Sequence, residues 1–267
     1  MALRAAVAGA AGRMGSRLVC LIKEDPEMEL AGALERKGHP ALGRDAGEVA
    51  GAGKSGVALT DDIDEALRGA QVVLSFSVPE GSLEHARAAA RAGMAAVVGT
   101  TGFPPSLRAE MESLGEELPL VFAPNMSVGV NVMFRLVAEA ARLLGPAFDA
   151  EVLEAHHKLK VDAPSGTALR LGEVLAGATG RDFGQEAVFA RQGQTGVRPA
   201  RAIGMQTLRG GDVAGEHTVY FFGTGERLEI THRATSRDNF GLGALRAAKW
   251  VVGKPKGLYS MADVLGL

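Results

Sequence analysis

The feature that most narrows what this chain can fold into is an apolar run, AAVA, that breaks straight into GAAGRMG and then into helix-compatible sequence. A short buried strand that enters a glycine turn and leaves as a helix is the opening of a βαβ unit. The pattern then repeats. Apolar runs over 3–8, 29–34, 71–76, 95–99 and 120–122 alternate with stretches over 12–23, 63–68, 81–92 and 106–117, where apolar residues return at three-to-four spacing. Strands that are apolar throughout and separated by helices predict a parallel sheet covered on both faces, an α/β Rossmann-like fold. The 36 glycines fit it, because several stand just after apolar runs, where the chain must turn tightly. The stretch 36–55 is rich in Gly, Ala and charge without periodicity, and reads as a mobile surface loop.

After Asn125 the texture changes. A helical pattern over 130–144 precedes a strand over 149–154, and EHTVYFF and ERLEITHRAT alternate in the way of antiparallel strands. A second, α+β domain with an open mixed sheet therefore begins near Ser127. Its uncovered face invites a second subunit, so a homo-oligomer is expected. The end of the chain, GLGALRAAKWVVG followed by GLYSMADVLGL, reads as a helix and a tail.

Several function classes drop out. With 29 Lys and Arg against 31 Asp and Glu, no electrostatic footprint for nucleic acid is present. Cys20 is the only cysteine, so neither an intrachain disulfide nor a thiolate metal site can form. No apolar run is long enough to span a membrane, and the N-terminal residues lack a signal-peptide pattern. A cytoplasmic address is expected.

Gly9, Gly12 and Gly15 give the spacing GxxGxxG, which lets backbone amides at a helix start approach a pyrophosphate. Glu35 ends the second strand 20 residues after Gly15, where a carboxylate accepts from the adenine ribose hydroxyls. Arg36 beside it can meet a 2′-phosphate, so NADH and NADPH both remain open. GTTGF at 99–103 and APNMS at 123–127 follow later strands and would wall the nicotinamide.

The densest chemistry is EAHHKLKVDAPSGTALRLGE. It sets His156, His157, Lys158 and Lys160 at the end of a strand. Ser165 follows as a helix cap, with the amides of Gly166 and Thr167 in the first turn. Cations beside a helix N-terminus form a receptor for a small anion, with a dicarboxylate as a candidate. A metal reading is poor, because lysine is a rare ligand and no carboxylate stands at ligand spacing. His217 and His232 fall in strands and read as structural.

At this point GAAGRMG, ALERKG, VVGTTGF, NMSVGVN, EAHHKLKVDAPSGTA, AGEHTVYF and ERLEITHRATSR resemble the 4-hydroxy-tetrahydrodipicolinate reductase family in order and spacing, from about residue 4 to residue 265. The resemblance implies a homotetramer with a dinucleotide-binding domain over 1–127 and 237–267, and a substrate-binding and tetramerisation domain over 128–236. It implies cofactor contacts from Gly9, Ala10, Ala11, Gly12, Arg13, Met14, Glu35, Arg36, Gly99, Thr100, Thr101, Ala123, Pro124, Asn125 and Met126. Substrate contacts fall on His157, Ser165, Gly166 and Thr167, and proton donation on His156 and Lys160. The implied reaction is NAD(P)H-dependent reduction of an unsaturated cyclic imine in the diaminopimelate route to lysine. SFSVPEG departs from the family: Ser75, Ser77 and Val78 stand where an acidic residue, a threonine and a basic residue are frequent. A sugar or semialdehyde dehydrogenase and a non-catalytic nucleotide sensor are the rival readings. The anion-suited cluster, the lack of a placed cysteine nucleophile, and the retention of His156 and Lys160 weigh against them.

Overall fold

The computed structural model describes residues 1–267, which divide into two compact units: Met1–Val128 with Asp238–Leu267, and Gly129–Arg237. The first runs β1 (Leu3–Ala8), α1 (Arg13–Glu24), β2 (Met28–Leu34), α2 (Ala46–Val49), β3 (Leu59–Thr60), α3 (Ile63–Leu67), β4 (Val72–Ser75), α4 (Pro79–Arg91), β5 (Ala95–Val98), α5 (Pro105–Ser113) and β6 (Pro119–Phe122). The second holds most of α6 (Val128–Leu144), then β7 (Asp149–His156), α7 (Gly166–Thr179), α8 (Phe183–Glu186), β8 (Ala187–Val188), β9 (Ile203–Arg209), β10 (Gly215–Phe222) and β11 (Arg227–Ala234). The chain then returns to the first unit with α9 (Asp238–Val251), β12 (Gly257–Tyr259) and α10 (Met261–Leu265).

In the first unit seven strands lie in the order β12-β6-β5-β4-β1-β2-β3, every pair parallel. This is the doubly wound sheet expected from its apolar strands. Two cores cover its faces, one around Val7, Leu18, Val97 and Val121, the other around Ala6, Val73, Leu83 and Leu120. Alternate residues of one strand supply each core, which is why these strands carry no polar face. The strand order reverses between β1 and β4, which opens a crevice at their carboxyl ends, where sheets of this kind bind ligands. The tail contributes β12, paired with β6 from Gly257↔Pro119 to Tyr259↔Val121.

The stretch 36–55 departs from the expected mobile loop. Asp45 caps α2 and accepts from the amides of Gly47, Glu48, Ser55 and Gly56 and from the Ser55 hydroxyl, contacts that hold its carboxyl well below the usual range. The Lys23 ammonium ties down the carbonyls of Ala52, Gly53 and Lys54, each at 2.8 Å. These side-chain-to-backbone bonds take the place of a periodic apolar face, and so leave no periodic signature. Cys20 is buried in α1 and donates to the Ala50 carbonyl.

The second unit is a five-stranded mixed sheet in the order β11-β10-β7-β9-β8. β10 runs antiparallel to β7 and β11, whereas β9 is parallel to β7 and β8. β8 and β9 join through parallel pairs, beside the antiparallel strands that the sequence discloses. Helices α6 and α7 cover one face, packing Met133, Val137, Leu171 and Leu175 on Val152, Met205, Val219 and Phe221. Along β7 the residues facing this core are Ala150, Val152 and then Glu154. No helix in the protein is long and apolar enough to cross a membrane.

Candidate active site

In the first unit, Gly9 to Met14 occupy the turn from β1 into α1, Glu35 and Arg36 follow β2, Gly99 to Thr101 follow β5, and Ala123 to Met126 follow β6. In a parallel sheet these are all carboxyl ends, so one edge carries the whole set. Gly9 has φ +72°, which favours glycine. A Cβ on Gly15 would lie 2.0 Å from the Gly9 carbonyl oxygen, so only glycine lets α1 start this close to the turn. Gly12 precedes the helix and brings no side-chain cap, and no acidic residue stands in the first turn. Such an end carries the positive pole of the helix with no acidic residue of its own first turn to offset it, and suits a pyrophosphate. Glu35 faces the same turn: Oε2 accepts from the Ala11 amide at 3.1 Å and Oε1 from the Arg36 amide at 2.9 Å. The Arg36 side chain is exposed.

The turn after β5 divides its two threonines. Thr100 is buried, accepting from the Ser77 amide and bonded to Ser82, which in turn meets Ser75; Ser75 also bonds His85. Burial pushes His85 down to about 4, so it is neutral near pH 7. Thr101 remains exposed beside a cleft of about 390 Å³ that Phe103, Phe122, Pro124, Arg108 and Tyr259 also line. Val78 is exposed at the start of α4, so the 75–78 turn offers no cation to a 2′-phosphate.

In the second unit, the β7 end and the α7 start are built around Glu154, a fully buried carboxylate. Its Oε2 is 2.6 Å from His156 Nδ1 and accepts from Arg209 Nη1 at 2.8 Å. Oε1 accepts from the Ser165 amide at 3.0 Å, from Arg209 Nη2 at 2.8 Å and from Thr207 at 3.2 Å. Burial alone would raise its pKa, but the bonds from His156, Arg209 and Ser165 outweigh that and bring it down to about 2. Ser165 caps α7 by accepting from the Ala168 amide, and meets His217 Nε2 at 3.0 Å. His217 is pushed down to about 3, by burial first and then by the neighbouring His156. Lys160 holds Asp162 at 2.8 Å, and its own amide donates to the His157 carbonyl. The His157 amide donates to Val213, while its buried Nδ1 meets no partner. Gly166 and Thr167 form the first turn of α7.

His156, Lys160 and the α7 cap thus gather at one corner of the second unit, and Glu154 bonds two of the three. Glu154, Thr207 and Arg209 escaped the sequence reading, and His217 was read as structural. One signal was present: an acidic residue at the third inward position of a strand whose first two are Ala150 and Val152 demands a partner.

A doubly wound sheet with a glycine turn at its switch point, joined to a second unit bearing a histidine–lysine corner at a helix N-terminus, defines a pyridine-nucleotide-dependent reductase. Comparison with known proteins makes this specific. The family models for dihydrodipicolinate reductase match residues 3–126 with the N-terminal part and residues 129–265 with the C-terminal part, and the chain belongs to that family. It is 56% identical to a 4-hydroxy-tetrahydrodipicolinate reductase of Anaeromyxobacter dehalogenans, over 98% of this chain and 97% of that one. It is 53% identical to one of Syntrophotalea carbinolica, over 99% of both chains. A dipicolinate-bound dihydrodipicolinate reductase from Paenisporosarcina sp. TG-14 shares the fold, with a TM-score of 0.76 at 23% identity over 98% of this chain and 99% of that one.

Proposed function

We propose that the protein reduces the unsaturated cyclic imine derived from 4-hydroxy-tetrahydrodipicolinate to tetrahydrodipicolinate, with NADH or NADPH, in the diaminopimelate route to lysine. Its family and its relatives support the reaction. One observation carries the chemistry: His156 and the α7 cap residue are held by the same buried carboxylate, with Lys160 on the intervening turn.

The residues of the first unit fit a dinucleotide. The Gly9 to Met14 turn would take the pyrophosphate, Glu35 the adenosine ribose, Arg36 a 2′-phosphate, and the turns at 99–101 and 123–126 the nicotinamide end. When bound, the reduced nicotinamide would supply hydride to the conjugated carbon of the imine. The resulting enamine needs a proton. Lys160 and His156 are the donors we assign, and the Lys160 ammonium also offsets negative charge developing on the substrate. His157, Gly166 and Thr167 would receive the substrate carboxylates, the last two through the α7 start, whereas Ser165, expected to join them, gives its amide to Glu154 and its hydroxyl to the cap and His217 and so shapes that start from behind. Water exclusion falls to the apolar walls of Phe103 and Phe122 on the nucleotide side.

The face of the second sheet turned away from α6 and α7 carries Leu153, Leu208, Tyr220 and Phe222, with Leu208 and Phe222 exposed. Such a face supports a homotetramer assembled through this unit, which light scattering would read as four times the chain mass. Reduced nucleotides and a lone cysteine are consistent with a cytoplasmic address.

The test is direct. The substrate is generated from pyruvate and aspartate semialdehyde by the preceding synthase, and nicotinamide absorbance is followed with NADH and NADPH separately. Rapid oxidation is expected. No oxidation with either, in protein that still binds nucleotide, overturns the reading.

A further inference from the structure

A carboxylate with no solvent exposure is costly to keep ionised, and Glu154 keeps its charge through five contacts that reach across the sheet. Arg209, on β9, would alone neutralise it with its two-pronged bond. Of the remaining three contacts, one comes from the Thr207 hydroxyl beside Arg209, one from the His156 ring and one from the amide of the residue that caps α7. An ionised carboxylate only accepts, so the 2.6 Å contact requires the proton of neutral His156 to sit on Nδ1. Nε2 then carries the lone pair, or the second proton when the ring is charged. That atom lies over Gly215, where a Cβ would come within 3.0 Å of it, so this glycine leaves room at the ring's working end.

We propose that Glu154 is a positioning residue for the reaction: it fixes the His156 tautomer and holds the proton donor in register with the anion-binding start of α7. This rests on the function proposed above and deepens it. The groups that face this corner come from every neighbouring element. Arg209 and Thr207 stand on β9, His217 on β10, His232 across from it on β11, and Lys160 with Asp162 on the turn after β7. Lys160 and Asp162 offset each other, and burial keeps His217 neutral near pH 7. Glu154 is therefore the anion that the His156 ring meets directly.

The experiment uses the full chain labelled with ¹⁵N-histidine. Nuclear magnetic resonance reads the His156 tautomer in the unmodified protein, in Glu154→Gln and in Glu154→Asp, and kcat and KM are measured beside it. The unmodified protein should show the Nδ1–H tautomer. Glu154→Gln, whose amide can turn either its N–H or its oxygen to the ring, should lose the single Nδ1–H tautomer, with kcat reduced about tenfold or more and nucleotide affinity unchanged. Glu154→Asp, which keeps the charge, should recover part of both. An Nε2–H tautomer in the unmodified protein overturns the proposal, and that measurement needs no variant to fold. A Glu154→Gln protein with unaltered tautomer and kcat, merely less stable, overturns it too. If the unmodified protein fails to turn over substrate, the function falls, and the tautomer still decides the role of Glu154.

Discussion

Lys160 can serve as an acid only while it is charged, and its ammonium stands 2.8 Å from the Asp162 carboxylate. Replacing it with alanine removes the donor and leaves the first unit untouched. Lys160→Ala is expected to lower kcat at least about a hundredfold, within the range general acids supply, with nucleotide Kd unchanged by fluorescence titration. Turnover at the parental rate would take Lys160 out of the mechanism. Arg36 poses a separate question at the same scale. Its side chain is exposed beside Glu35, and the 75–78 turn brings no second cation. Arg36→Ala should therefore raise KM for NADPH about tenfold, a loss of ~1.4 kcal/mol, and move KM for NADH by less than about twofold. Equal effects on both would mean that Arg36 does not read the 2′-phosphate.

Two element starts, of α1 and α7, carry the binding chemistry we propose, and each depends on one small residue. At α1 a Cβ on residue 15 would meet the Gly9 carbonyl at 2.0 Å, so Gly15→Ala must push the helix off its turn. Nucleotide Kd should rise tenfold or more, while affinity for a dicarboxylate probe, a property of the other unit, stays level in calorimetry. At α7 the Ser165 hydroxyl caps the Ala168 amide and meets His217. Ser165→Ala should cost about 1 kcal/mol of stability and raise substrate KM more than it lowers kcat. The α1 start is legible in sequence because everything that makes it is local: a strand, three glycines at fixed spacing, and a helix. The Ser165 cap was legible for the same reason. The buried hub was not, because Glu154 takes its partners from two, eleven, fifty-three and fifty-five residues along the chain, a set that exists only once β9 lies beside β7. β9 itself follows an Arg- and Gly-rich stretch without alternation, and β12 is too short at three residues to show a period. The loop over 36–55 misled for a related reason, since Asp45 and Lys23 order it by polar contacts to backbone.

On the scale of the whole molecule, His85, His217 and Glu154 are among the groups that bind protons differently in the folded and unfolded chain, and all three act in one direction. His85 in the first unit and His217 in the second are pushed from 6.5 down to about 4 and about 3. Both are neutral in the fold and protonated in the unfolded chain once pH falls below 6.5, so the unfolded state binds more protons from there down to those lower values. Stability must therefore fall with pH across that window. Glu154, lowered from 4.5 to about 2, continues the trend: its contribution is present above 4.5 and is lost as pH falls through 2. Tm should decline steadily below about pH 6.5 with no acid-side recovery. Near pH 5 unfolding should take up roughly two protons per chain from His85 and His217, read from calorimetry in buffers of different ionisation enthalpy. His217→Gln removes one of these groups, so its uptake at pH 5 should fall by about one while that of Lys160→Ala stays at the parental value. Uptake near zero in the unmodified protein would mean that the two histidines are not held neutral by the fold, and the acid sensitivity would have to come from the carboxylate alone.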